Sequence, residues 1–297
     1  MKTILCPVDR SEISRRAFGY ATAIARYEHA RLSVLEVIDW ALPPVAGVTP
    51  MGEVPPEVSD EALAGLHELV APAQGAGIPT EVCLATGNVV RHILERAHTV
   101  SADLIVLGTH GRGGFEHLVL GSVTEKVLRK APCPVLTVPP GADPVPSAPF
   151  SSILCAVDFS EASAEAFKTA RALARRGGSQ LALLHVVEWP IAHVMSSDSV
   201  GDLRRGLEAH AERELAAFVR QHAPSDGEAT AVVRTGSSKK EILDFARAQS
   251  VDLIVVGITG RGAVDVAVLG SIAHAVIRGA QCPVLTVRAT AAARAGE

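Results

Sequence analysis

Aromatic side chains, basic excess and long apolar runs are all scarce in this chain. Aromatics make up 4% of its 297 residues, too few for the stacking platforms on which single-stranded nucleic-acid binders seat bases. Lys and Arg number 28 against 32 Asp and Glu, a formal net charge of −4, so the basic footprint of a nucleic-acid surface is missing. No apolar stretch approaches the ~18 residues of a membrane span, and the opening Met-Lys-Thr-Ile-Leu-Cys-Pro-Val-Asp has no long apolar leader. A cytoplasmic protein without nucleic-acid or membrane partners is expected. Five cysteines without a C-x-x-C pair argue against a disulfide framework and for buried, reduced thiols.

Several enzyme signatures are also missing. The chain has no G-x-x-x-x-G-K-[ST] loop, no G-x-G-x-x-G after a first strand and no G-x-S-x-G elbow. No general base for phosphoryl transfer can be named, and that chemistry demands positioned groups around the transferred phosphate. The residues therefore favour binding over catalysis, with weak turnover at most. His110 and His117 lack the cysteine pair or third spaced ligand of a tetrahedral zinc site. His193, His210 and His274 show no ligand spacing either, so no metal site is expected.

What the chain does have is an internal repeat. Ile-Leu-Cys-Pro-Val-Asp at 4–9 returns as Ile-Leu-Cys-Ala-Val-Asp at 153–158, and Asp-Leu-Ile-Val-Leu-Gly at 103–108 returns as Asp-Leu-Ile-Val-Val-Gly at 252–257. Val-Leu-Gly-Ser recurs at 119–122 and 268–271, and Cys-Pro-Val-Leu-Thr-Val at 133–138 and 282–287. A composition that is 48% hydrophobic and 20% charged suits two globular domains of similar size. They are expected at 1–138 and 151–288, joined by a linker at 139–150 that carries Pro139, Pro140, Pro144, Pro146 and Pro149. A semi-rigid polyproline connection of that length reaches on the order of 30 Å.

Within each repeat, short aliphatic runs alternate with segments of helical period, the signature of a parallel sheet covered by helices on both faces. In the first repeat, strands are predicted near 2–8, 31–38, 79–85, 103–107 and 134–138, and helices near 12–29, 57–76, 88–100 and 119–130. Ser11 and Asn88 are candidate N-caps, with Ser160 and Ser237 or Ser238 as counterparts. The Pro- and Gly-rich segment 39–56 is long enough to be either a lid or a disordered loop.

The most informative pattern is Gly108-x-x-Gly111, nine residues, then Gly121-Ser122, repeated as Gly257-x-x-Gly260, nine residues, Gly270-Ser271. In each copy the first glycine closes a strand and the Gly-Ser pair opens a helix, a combination that offers unhindered N–H donors and positive potential to phosphate. Ser122 and Thr124 add hydroxyls. Asp9 belongs at the same crevice as a ligand contact, or else binds backbone N–H groups at the first helix. Arg112 and Arg261 stand where a guanidinium reaches phosphate, unless they are solvated loop charges.

The strand-end Asp, the G-x2-G-x9-G-S array and the closing Ala-Pro-Cys-Pro-Val-Leu-Thr-Val together resemble a tandem universal stress protein, nucleotide-binding branch, over nearly all of both repeats. The resemblance implies two doubly wound α/β domains, each a five-stranded parallel sheet in order 3-2-1-4-5, and ATP held by the glycine motif, with Mg arriving on the nucleotide. Carried over by position, it assigns Asp9 and Val37 to adenine and ribose. Leu107, Gly108, Gly111, Arg112 and Gly113 form its phosphate and ribose loop, and Gly121, Ser122, Val123 and Thr124 its helix-start contacts. The counterparts are Asp158, Val186, Gly257, Gly260, Arg261, Gly262, Gly270 and Ser271. The second copy departs at Thr259 for His110, Ala263 for Gly114 and Ile272-Ala273 for Val123-Thr124. The expected function is a stress-response regulator that binds ATP and acts through an unidentified protein partner. A nucleotide-independent scaffold and a slow ATPase are the alternatives. Pairing of 134–138 with 283–287 would make the chain an internal pseudo-dimer, compatible with a further homodimer.

Overall fold

The computed structural model describes residues 1–39, 55–110, 120–143, 150–188, 197–223, 229–259 and 269–289. The chain divides into two compact units, Met1–Pro149 and Phe150–Glu297.

The first unit runs β1 (Thr3–Val8), α1 (Glu12–Glu28), β2 (Arg31–Ile38), α2 (Pro56–Gly75), β3 (Thr80–Thr86), α3 (Val89–Thr99), β4 (Leu104–Gly108), α4 (Ser122–Lys130) and β5 (Val135–Val138). Its strands lie in the order β3-β2-β1-β4-β5, every pair parallel. The second unit repeats the series: β6 (Ser152–Val157), α5 (Glu161–Gly177), β7 (Gln180–Glu188), α6 (Ser197–His222), β8 (Thr230–Gly236), α7 (Ser238–Ala248), β9 (Leu253–Gly257), α8 (Ser271–Gly279) and β10 (Val284–Val287). Its order is β8-β7-β6-β9-β10, again parallel. This is the doubly wound arrangement the repeat pattern predicts, in two copies.

Central strands covered on both faces should read as unbroken apolar runs. Leu104–Gly108 and Val135–Val138 are buried throughout, and the cores of β1 and β6 are Ile4, Leu5 and Cys6 and Ile153, Leu154 and Cys155. Right-handed crossovers put α1 and α2 on one face of the first sheet and α3 and α4 on the other, and α3 packs against α4. In the second unit α5 packs against α6 and α7 against α8.

The predicted caps divide. Ser11, Asn88 and Ser160 each accept the N3 backbone N–H of their helix, satisfying a donor the helix cannot. Ser237 stands at the N-cap of α7 without a side-chain bond, and the Ser238 N–H goes instead to Glu188 Oε1 at 3.3 Å. A carboxylate from the end of β7 thus satisfies the N1 donor of this helix rather than the N3 donor that the serines satisfy elsewhere. The start of the proline-rich stretch is held by α1: Arg16 Nη1 donates to Pro140 O (2.6 Å) and Ala142 O (2.7 Å), and the Tyr20 hydroxyl to Asp143 O (3.1 Å).

All five cysteines are free. Burial raises the Cys6 and Cys155 thiols far above the ordinary range, and burial with the nearby Asp103 charge pushes Cys133 up to about 12. Thiols so shifted stay protonated and unreactive. Among the described residues, no helix is long and apolar enough to cross a membrane.

Candidate functional site

The crevice begins at the β1–α1 turn. Asp9 Oδ1 accepts the Ser11 N–H at 3.1 Å and the Ser11 hydroxyl at 2.6 Å, and that hydroxyl oxygen in turn accepts the Ser14 N–H that starts α1. Asp158 does the same through Ser160, at 3.1 and 2.6 Å. The aspartate thus binds backbone at the head of the helix, one of the two roles its position suggests. To wrap that carboxylate, the next residue adopts the left-handed region, Arg10 at φ 64° and Phe159 at φ 63°. Such a conformation costs roughly 1–2 kcal/mol for a side chain with a Cβ.

Different chemistry holds each strained residue. Arg10 Nε donates to Glu36 Oε1 on β2 at 2.9 Å, a carboxylate only 5% exposed, and its Nη1 reaches Glu61 on α2 at 3.4 Å. The second unit has no such pair at that place. Phe159 lies against His185 with ring centroids 4.3 Å apart and against Phe218 at 5.5 Å, while His185 Nδ1 is 2.9 Å from Val157 O. The register makes these positions equivalent, since Val8 pairs with Glu36 and Val157 with His185. Arg10 and Glu36 border a cavity of about 620 Å³ under the first two helices of the first unit, and Phe159 and Phe218 border one of about 470 Å³ in the second.

The second side of the crevice is the end of β4 and the start of α4. A Cβ at Gly108 would lie 2.5 Å from Ile13 Cγ2, and one at Gly257 would lie 2.8 Å from the Ala162 carbonyl carbon and 2.9 Å from Ser163 N. These glycines let the first turn of α1 or α5 cross the strand end. Gly121 donates its N–H to Thr109 O at 2.9 Å, and a Cβ there would sit 3.1 Å from the same oxygen. Neither Gly121 nor Gly270 supplies a side-chain cap, so the first N–H groups of α4 and α8 have no capping side chain, and the helix end keeps its attraction for an anion. The buried Thr124 hydroxyl donates to Gly108 O at 2.8 Å. It ties helix to strand, and that proton is not offered to a ligand.

In the second unit these parts surround one cavity of about 360 Å³ beyond the carboxyl ends of β6, β7 and β9. Five residues of the sequence-derived set line it: Asp158, Val186, Gly257, Gly270 and Ser271. His185 of β7 and Ser238 and Ile242 of α7 line it too; the sequence pattern did not single out His185 or Ile242, and the helical face of Ile242 reads simply as core. In the first unit Asp9, Val37, Leu107, Gly108, Gly121, Ser122, Val123 and Thr124 occupy the matching strand ends and helix start. Gly111, Arg112, Gly113, Gly260, Arg261 and Gly262 lie outside the described residues, as does most of the segment 39–56. Sequence reasoning also passed over Arg10, Glu36, Phe159 and His185. Among the described residues no three His, Cys, Asp or Glu cluster as a metal site.

Comparison with known proteins agrees with this geometry. The model of the universal stress protein family matches residues 1–139 and again 149–288. A universal stress protein of Methanocaldococcus jannaschii is 33% identical over 140 residues, 46% of this chain and 81% of that protein. The crystal structure of a universal stress protein from Archaeoglobus fulgidus superposes with a TM-score of 0.71 at 26% identity, covering 97% of this chain and 98% of its own. A universal stress protein solved in complex with cAMP is 28% identical over 46% of this chain, at a TM-score of 0.36.

Proposed function

The chain belongs to the universal stress protein family, and from that premise we propose that it is a cytoplasmic regulator that binds ATP. The nucleotide sits beyond the carboxyl ends of β1 and β4 in the first unit. The observation that carries this reading is the cavity in the second unit, where Asp158, Val186, Gly257, Gly270 and Ser271 converge on one space next to a helix end without a capping side chain. Doubly wound sheets take ligands at this switch in strand order. Cavities of some 300–1,000 Å³ are the usual size for small-molecule sites.

The residues present fit the group. The first N–H groups of α4 and the Ser122 hydroxyl, exposed at the helix start, would meet phosphate, and Val37 at the end of β2 would offer its backbone to the base. Mg, when bound, would share phosphate oxygens and keep most of its waters, so no protein cage is needed. Ile272 and Ala273 replace Val123 and Thr124 in the second unit, but the Thr124 proton is already given to Gly108 O, so this replacement removes no ligand contact. No residue is assigned to hydrolysis.

A second reading, the nucleotide-independent scaffold, draws on Asp9 Oδ1 and Gly108, whose contacts already serve the turn and the helix crossing. Native mass spectrometry of freshly purified protein, followed by calorimetric titration with ATP, separates the two. The first predicts a nucleotide mass on the protein and saturable heat, and the second predicts neither.

A further inference from the structure

Two lines of evidence meet at the residue after the site aspartate. Its backbone is the same in both units, φ 64° at Arg10 and 63° at Phe159, while its side-chain anchor is not. In one unit the anchor is a guanidinium on the buried Glu36, and in the other it is a ring on His185 and Phe218. Both members changed together, Arg10 with Glu36 and Phe159 with His185. What the two units share is therefore the conformation of the turn rather than the chemistry that holds it.

The geometry points to the Arg10–Glu36 pair as a positioning device for the Asp9 carboxylate, working from the groove under α1 and α2. Consecutive strand residues face opposite ways. Glu36 turns toward the groove under α1 and α2, where it lines the 620 Å³ cavity with Arg10, Arg15 and Glu61. Val37, one residue on, turns toward the nucleotide side. Anchored at 2.9 Å on Glu36, Arg10 keeps its left-handed backbone, and that backbone sets where Asp9 Oδ1 meets Ser11. Neither Arg10 nor Glu36 need touch the nucleotide, and neither is a catalytic residue.

The binding arm of the test rests on the ATP reading above. Nuclear magnetic resonance on the full chain reads the first unit alone, through the Ser122 amide during an ATP titration and the Ser11 amide without ligand. Arg10→Ala, at a side chain one-third exposed, should lower ATP affinity about 2- to 30-fold, the usual range for coupling through a packed neighbour, and should shift the Ser11 resonance. The triple variant Arg10→Phe, Glu36→His and Leu69→Phe installs the second unit's anchor, because Leu69 lines the groove 149 positions before Phe218. It should return both readouts toward wild type, which loss of packing alone would not do. An unmoved Ser11 amide and unchanged affinity in a folded Arg10→Ala protein overturn the proposal, and so does a swap no better than the single variant. If the wild-type chain binds no ATP, the nucleotide reading fails by itself. The Ser11 amide then decides positioning: shifted by Arg10→Ala and restored by the swap supports it, unmoved overturns it.

Discussion

The two units are the same fold written twice, and their differences separate what the fold needs from what a site needs. Both keep the Asp-x-Ser turn with the same 3.1 and 2.6 Å bonds, both close the fourth strand with a glycine, and both begin the last helix without a side-chain cap. They diverge in what fills the space behind the turn and in how helix is tied to strand. The first unit uses an ion pair and the Thr124 hydroxyl, and the second uses tilted and edge-on rings and has Ala273, without a hydroxyl, in place of Thr124. Features common to both are the backbone geometry of the crevice, whereas the features that differ tune each copy.

The glycines should separate the units most. At Gly257 an added methyl meets backbone atoms of Ala162 and Ser163, which cannot swing aside, whereas at Gly108 it meets first the Cγ2 methyl of Ile13, which moves only by a χ1 change that a β-branched side chain resists, and then His110 O at 3.2 Å. Gly257→Ala should cost about 3 kcal/mol in the second unit and Gly108→Ala about 1–2 kcal/mol in the first. Hydrogen exchange resolved by residue reads each unit separately, and equal losses would break the contrast. Gly121→Val, tempting as a probe of phosphate binding, would also press on Thr109 O, so its effect on affinity must be read beside its effect on folding.

Asp9→Ala should weaken ATP binding by about 1.5–3 kcal/mol, roughly 10- to 150-fold, and should also loosen the start of α1, because Ser11 loses its acceptor. Titration calorimetry with a parallel melt distinguishes the two losses. Asp158→Ala should reproduce the structural loss in the second unit. A matching loss of ATP affinity there would show that both crevices are occupied.

The helix tie comes next. Thr124→Ala removes a buried donor from Gly108 O and should cost about 1 kcal/mol, while Thr124→Ser should keep most of the bond. Denaturant melts of both variants measure it. Ser11→Ala and Ser160→Ala should each cost about 1 kcal/mol as lost caps, and Ser237→Ala almost nothing, because the Ser237 side chain makes no cap bond.

The smallest effect is one of pH. Burial, and then the Lys168 charge, hold His222 below its ordinary value of 6.5. The unfolded chain therefore takes up this proton more readily than the folded one. Its contribution to the second unit is intact above about 6.5 and is lost as pH falls through the interval beneath that value. His222→Gln should flatten that part of the stability profile, and a profile unchanged by the substitution would remove His222 as the cause.

The alternation of apolar runs and helical periods made the element order legible, and the repeat supplied a second reading of each boundary. The crevice residues were legible because they cluster at strand ends. The second side of the turn was not. Glu36 lies in the strand Arg-Leu-Ser-Val-Leu-Glu-Val-Ile, where nothing in the sequence marks its carboxylate as buried. The available signal was joint: of two positions that change between the copies, Arg10 to Phe159 and Glu36 to His185, each is ordinary alone, and their coupling shows only when strand register brings them together. Thr124 was read as a hydroxyl for phosphate because sequence gives no direction to a side chain. Its partner, Gly108 O, lies 16 positions away. The capping role of Glu188 was hidden for the same reason, with its target 50 positions along the chain.

Arg16 and Tyr20 have a practical consequence for anyone cutting the gene in two. Three carbonyls past the last strand of the first unit, at Pro140, Ala142 and Asp143, are acceptors for side chains of α1. A fragment stopped at Val138 would lose these three bonds from Arg16 and Tyr20, on the very helix whose head carries the Asp9 turn. A fragment carried to residue 143 keeps all three bonds, and an excised copy of that length can be compared fairly with the intact protein.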